Sequence, residues 1–344
     1  MKRTKHKEGF EYYTCLNLQK IQAIQLQMLV FIDEVCRKYN IQYWISGGTL
    51  IGAVRHGGYI PWDDDIDISL LYTDYFKLIA ALKQECEHHQ NYFLAFGNTE
   101  ELTYYFDKLC SSELSVISMD TGEVSPCAID LFPIKVIEDS DESKKRDAKL
   151  TDTLHYYIHG FFNERHDNLN IETKNLYEAL ENKKVFIDYF HKFYVDKEKE
   201  LNNAEIKLLA NYNLSPFFLP HKGGYFKFDD IFPLENITFE GIQVLKPKKH
   251  DNVLREQYGE YLQLPAVEHR IPTHSSKVVN SSKQQKNDVM GGYIKQLQKK
   301  NKIFFYRQKG KISFVLYYIL NFGLRATISN FKIVKKIMKL KRKL

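Results

Sequence analysis

The sequence predicts an α+β fold. Three observations carry this: helical periodicity near the start, short apolar runs cut by glycine and proline, and interleaving of the two along the chain. Residues 17–39 read as a helix, because Ile21, Ile24, Met28, Ile32 and Val35 recur at intervals of three and four and share one face. Asn40 is a left-handed stop. Residues 41–46 read as a short strand, which Gly47-Gly48-Thr49 breaks, and a helix starts within Leu50 to Arg55. Gly57-Gly58 and Pro61 mark a loop. Residues 66–70 read as a strand and 72–88 as a helix with Thr73 as N-cap. Short strands are expected near 91–97, 103–109 and 127–137. Residues 141–212 are expected to be mainly helical with a polar break at 166–173. Residues 217–246 suggest a hairpin, 248–260 a helix, and 265–288 a polar linker.

Composition narrows the class. The 344 residues are 44% hydrophobic, with 23 Tyr and 23 Phe, which favours a large core over disorder. The five cysteines (Cys15, Cys36, Cys86, Cys110, Cys127) are scattered and form no CxxC pair, so neither a zinc cage nor a disulfide framework is suggested. The basic start, Met1 to Phe10, leads into no apolar segment, so no signal peptide is expected. A reducing cytoplasm is the expected compartment. The net charge of +6 is uneven: Val289 to Leu344 holds fifteen Lys and Arg and no Asp or Glu, leaving 34 basic against 43 acidic residues elsewhere. An acidic body with a basic tail points to a polyanionic partner.

Pro61-Trp62-Asp63-Asp64-Asp65-Ile66-Asp67-Ile68 is the first chemical feature. Residues i and i+2 of a strand share a face, so Asp65 and Asp67 would project together while Ile66 and Ile68 enter the core. Two such carboxylates repel, and a hard cation, Mg²⁺ or Mn²⁺, relieves the repulsion. Asp63 is a third candidate ligand from the loop side, and Asp64 is left outside the set. A solvated acidic turn is the competing reading.

Gly47-Gly48-Thr49 is the second feature. Glycines between a strand and a helix let backbone N–H groups approach an anion, and the Thr49 hydroxyl can bind phosphate or cap the helix. Arg55 suits bidentate phosphate contact or a salt bridge to the acidic run. His56 is expected to support the site rather than ligate metal. Asp130, in the apolar run Cys127-Ala128-Ile129-Asp130-Leu131-Phe132, is costly unless paired or metal-bound. It is a third carboxylate ligand, a base for the acceptor's proton, or half of a buried ion pair. Asp230, in the more polar Lys227-Phe228-Asp229-Asp230, is its rival.

The 28 residues from Ile41 to Ile68, including Ser46-Gly47-Gly48-Thr49-Leu50-Ile51-Gly52-Ala53-Val54-Arg55-His56-Gly57-Gly58 and Pro61-Trp62-Asp63-Asp64-Asp65-Ile66-Asp67, resemble the signature of the LicD family. That family includes bacterial phosphocholine transferases, with the fukutin-related proteins as distant relatives. Ile129-Asp130-Leu131-Phe132-Pro133, Phe239-Glu240-Gly241-Ile242 and Tyr258 to Pro265 are similar to later family blocks. The resemblance spans roughly residues 17–275.

It implies a nucleotidyltransferase-like fold: a small mixed sheet flanked by helices. Residues 1–288 would be the catalytic domain; 141–215, a mainly helical insertion, and 289–344, a basic helical tail, depart from the family pattern. It further implies transfer of a phosphorylated alcohol, such as phosphocholine or glycerol phosphate, from a CDP-alcohol to a sugar hydroxyl. Asp63, Asp65, Asp67 and Asp130 would hold Mg²⁺ or Mn²⁺. Asp65, Asp67, Asp130 and Arg55 would be catalytic, and Gly47, Gly48, Thr49 and His56 would bind substrate.

Ile312 to Leu324, about 13 residues, falls short of the ~20 needed to span a bilayer. With the basic flanks it fits an interfacial segment, so 295–344 is expected to meet an anionic membrane surface from the cytoplasmic side. The glycan acceptor would then be lipid-linked. Two other readings share the chain: a nucleotidyltransferase acting on RNA or a small molecule, for which nucleic acid is the less expected partner, and a non-catalytic glycan-binding protein.

Overall fold

The periodic apolar face of the first helix organises the core. In the computed structural model, α1 (Leu18–Lys38) buries Ile21, Met28, Leu29, Ile32 and Val35, each at 3% exposure or less. Full burial of such a side chain is worth about 1.5–3 kcal/mol. The structure describes residues 2–5, 7–14, 18–95, 106–118, 124–159, 183–202, 207–210, 224–272 and 275–280. The expected helical tail, 289–344, lies outside them, as do 160–182, which include the expected polar break at 166–173, and 211–223.

Before α1, β1 (Lys2–Lys5) and β2 (Glu11–Thr14) form an antiparallel hairpin that the sequence reading did not foresee. After it come β3 (Trp44–Ile45), α2 (Gly47–His56), β4 (Asp67–Leu71) and α3 (Tyr72–Glu87). The predicted strand 41–46 contracts to two residues, and α2 starts at Gly47 rather than Leu50. Thr73 is not the cap of α3: Leu71 precedes the helix, and the Thr73 N–H donates to Glu198 Oε2 at 2.9 Å.

The sheet continues with β5 (Tyr92–Ala95), β6 (Asp107–Ser118) and β7 (Val124–Glu138). Its main path runs β12–β6–β7–β4–β3, where β12 is Ser275–Asn280. Only β4 and β7, among the described strands, pair in parallel, so the sheet is mixed. The presence of β12 corrects the expected linker at 265–288: polar at its start, the segment pairs with β6, opposing Val278 to Val116.

The far half of β7 pairs with β8 (Lys207–Ala210), which pairs with β9 (Tyr225–Lys227). The expectation of helix to residue 212 fails at β8, a four-residue run too short to display a period. The helices α4 (Asp141–His159) and α5 (Lys183–Glu200) lie within the segment expected to be helical. They are tied to β7 by a buried ion pair, Lys135 Nζ to Asp147 at 2.7 Å, to which the Tyr194 and Tyr225 hydroxyls also donate. Those hydrogen bonds offset the desolvation that makes an isolated buried pair unfavourable.

A short helix, α6 (Phe228–Ile231), precedes the hairpin of β10 (Glu235–Phe239) and β11 (Ile242–Lys246), and α7 (His250–Tyr258) follows. The overall class is therefore α+β, a mixed sheet flanked by helices, as the sequence predicts. None of the described helices is long and apolar enough to cross a membrane.

Candidate active site

Strand alternation sets the two faces of the site. Ile66, Ile68, Ile129, Leu131 and Leu109 are fully buried in the core shared with α1 and α3. The intervening Asp67, Asp130 and Lys108 lie on the opposite face, where each is partly exposed. Register aligns them in one row: Asp67 of β4 opposes Asp130 of β7, which opposes Lys108 of β6. Lys108 Nζ meets Asp130 Oδ1 at 2.8 Å, with both side chains 19% exposed. The sequence allows Asp130 to be metal ligand, base or ion-pair partner; the structure gives it an ion pair and the place beside Asp67. Asp230 sits elsewhere in the fold on α6, paired with Lys249 at 2.9 Å.

β4 begins at Asp67, so Asp65 belongs to the loop before it. Asp63, Asp64 and Asp65 each place a carboxylate oxygen within 4.8 Å of the others. Asp64, which the sequence reading set aside, is thus part of this cluster and is 3% exposed. Burial, then the Asp65 carboxylate, then Asp67 and Asp64, hold Asp63 well above the ordinary carboxylate range. Packing like charges this closely costs free energy that either a proton or a cation can remove. An oxygen-only donor set of this kind fits a hard divalent cation.

The glycines explain how α2 approaches these acids. Gly47 has φ +56°, and a Cβ there would lie 2.6 Å from Asp67 Oδ2 and 3.6 Å from the Tyr258 hydroxyl. A Cβ on Gly48 would lie 2.7 Å from Asp63 Oδ2. Only glycine lets the start of a ten-residue helix, with its unpaired N–H groups, come so near the carboxylates. Thr49 is buried, and its hydroxyl accepts the Asp67 N–H at 2.9 Å, fastening α2 to β4.

The structure places Arg55 and His56 at the other end of α2. Arg55 Nη1 donates to the carbonyls of Tyr261 at 2.6 Å and Gln263 at 3.4 Å, and its Nε donates to His56 Nε2 at 2.9 Å. Burial lowers the proton affinity of the guanidinium; Asp63 opposes that shift and Arg270 adds to it. His56 packs against Phe10 and Trp62, with ring centroids 6.0 and 6.4 Å away. Arg55 therefore anchors the segment after α7 as well as lying within electrostatic reach of Asp63.

Four residues to which the sequence alone assigns no role shape the site. Gln22 and Gln25 of α1 donate to the carbonyls of Asp63 (2.9 Å) and Asp64 (3.0 Å), and Gln25 also reaches Ala128 O at 3.1 Å. Glu240, at the turn of the β10–β11 hairpin, accepts the Tyr59 N–H at 2.9 Å and so props the loop leading to the acidic run. Tyr258, at the end of α7, puts its hydroxyl near Gly47, and burial with Asp67, Asp63 and Asp65 raises its proton affinity. Gln25, a polar residue four after Ile21 and three before Met28 on the buried face, was the detectable signal.

Fold and site together define an α+β domain whose sheet carries a carboxylate centre beside a glycine-opened helix start. Residues 40–155 match the family model LicD/FKTN/FKRP, nucleotidyltransferase domain. It is similar to the lipopolysaccharide cholinephosphotransferase LicD of Haemophilus influenzae, 27% identical over 272 residues, covering 75% of this chain and 96% of that protein. It is similar to the human ribitol 5-phosphate transferase FKRP over 44 residues at 41% identity, covering 13% of this chain and 9% of that protein. It is also similar to mannosyltransferase regulator 4 of Saccharomyces cerevisiae, 24% identical over 300 residues, covering 73% of this chain and 24% of that one.

Proposed function

We propose that the protein transfers a phosphorylated alcohol from a CDP-alcohol to a hydroxyl of a glycan, releasing CMP, with Mg²⁺ or Mn²⁺ as cofactor. The observation that carries this reading is the register of Asp67 with Asp130 beside the Asp63–Asp65 cluster. The similarity to a cholinephosphotransferase, which covers 75% of this chain and 96% of that protein, supports it.

Asp63, Asp65, Asp67 and Asp130 would hold the metal ion. When bound, the ion neutralises diphosphate charge. The acceptor oxygen forms its bond to the phosphorus of the alcohol phosphate as the bond from that phosphorus to the CMP oxygen breaks. The electron pair leaves with CMP, and the hydroxyl proton passes to a carboxylate facing it. The N–H groups of Gly47 and Gly48 would orient phosphate oxygens, while Thr49 and Gln25 hold the carboxylates in place. Positioning and electrostatics would then supply most of the acceleration.

The test is a panel of CDP-choline, CDP-glycerol, CDP-ribitol and CDP-ethanolamine with Mg²⁺ and a glycan acceptor. CMP release with one of them is the expected result. Pyrophosphate release from nucleoside triphosphates instead would favour a nucleotidyltransferase. Folded protein that binds no divalent metal would favour a non-catalytic role, such as the similarity to a mannosyltransferase regulator raises.

A further inference from the structure

We infer that Lys108 is a catalytic residue: the fixed cation that contacts the phosphate oxygens of the donor. This rests on the phosphotransferase reading above and gives Lys108 the charge-offsetting role that the sequence suggests for Arg55.

Three observations carry it. First, Lys108 stands at the end of the row Asp67–Asp130–Lys108, one strand spacing per step, on the face that bears the carboxylates. Second, the Lys108 and Asp130 side chains are each 19% exposed, open to a ligand yet largely shielded from water. A charge so placed acts more strongly than one in bulk solvent. Third, Arg55, whose guanidinium lies within electrostatic reach of Asp63, and Arg270, whose charge acts on Arg55, have structural work. Arg55 donates to the carbonyls of Tyr261 and Gln263, and Arg270 to those of Pro265 and Glu11.

The chemistry needs such a group. A diphosphate donor brings negative charge that the acidic cluster repels, and more charge gathers on CMP as its bond to the transferred phosphorus breaks. A metal ion held by the carboxylates would offset part of that charge, and Lys108 beside Asp130 offsets more of it. An ammonium carries three N–H donors, so one group can hold Asp130 and a phosphate oxygen together. Lys108 exchanges no proton in this step. The competing role is purely structural, with Lys108 compensating the Asp130 charge and nothing else.

Lys108→Met and Lys108→Arg in the full chain separate the two roles. The measurements are CMP release from the CDP-alcohol that the wild type uses, and Mn²⁺ binding followed by electron paramagnetic resonance. For Lys108→Met, kcat/KM is expected to fall about 100-fold, while Mn²⁺ binds as tightly as in the wild type or tighter, since Asp130 loses a competing cation. Lys108→Arg is expected to recover at least a tenth of the activity, roughly the discount for a displaced charge. Turnover by Lys108→Met close to wild type overturns the inference. So does parallel loss of Mn²⁺ binding and turnover in both variants, the mark of a structural neutraliser. If Lys108→Met does not fold, Lys108→Gln is read by the same two measurements. A wild type that releases no CMP from any CDP-alcohol overturns the functional reading and this inference together. An active wild type matched by active Lys108→Met overturns this inference alone.

Discussion

Gly47 shows how much a single position can demand. Its φ of +56° and the 2.6 Å separation between a would-be Cβ and Asp67 Oδ2 both exclude a side chain. Gly47→Ala should lose about 1–2 kcal/mol of stability through backbone strain. It should also weaken Mn²⁺ binding by displacing Asp67, which a binding titration on the folded variant would measure; unchanged affinity would refute that coupling. His191 makes a second residue-scale prediction. It packs on Tyr72 and Phe76 (centroids 5.9 and 5.1 Å), and its buried ring nitrogens have no hydrogen-bond partner among the described residues. Burial lowers its pKa to about 4. A histidine with a depressed folded pKa stabilises the protein above its unfolded value and loses that stability as pH falls toward 4. The loss should reach ~1.4 kcal/mol per pH unit within that window. Urea unfolding at pH 7, 6 and 5 should show the slope, and His191→Phe should flatten it; an equal slope in both proteins would remove His191 as its source.

At the scale of elements, α1 does two jobs. One face fills the core, and the amides of Gln22 and Gln25 grip the loop that carries Asp63 and Asp64. Gln25→Leu keeps the volume but leaves the carbonyls of Asp64 and Ala128 without these donors. The expected cost is about 1–3 kcal/mol, with weaker Mn²⁺ binding because the loop is no longer tied to β7. Chemical denaturation and metal titration would check both effects, and a variant equal to wild type in each would show that the clamp is dispensable. The apolar face of α1 was legible in the sequence, since its period is strong over 21 residues. Its clamp was not, because an amide on a buried face reads as an interruption until its acceptors, 39 and 103 residues away, are known. Lys108 was hidden for the same reason: only the β6–β7 register brings it to Asp130. Short or polar strands, β8 and β12, lacked a pattern of their own and exist through pairing. The acidic run, the glycine pair and Asp130 were legible because each sits as an exception inside an apolar segment.

At the scale of the whole molecule, charge is partitioned between an acidic body and the basic segment 289–344. We propose that this segment holds the enzyme at an anionic membrane surface, close to a lipid-linked acceptor. Removing residues 295–344 should abolish sedimentation with phosphatidylglycerol vesicles at low salt and leave CMP release from a soluble acceptor unchanged. Equal vesicle binding with and without the segment would contradict it. The central claim concerns the carboxylate row. Its most direct test is Mg²⁺-dependent CMP release by wild-type protein and by Asp67→Asn, which keeps the shape of the side chain and removes its charge. A fall of at least 100-fold in a folded variant, of the size expected when a principal charge of a phosphoryl-transfer site is lost, is the predicted result. Turnover near that of the wild type would contradict the account.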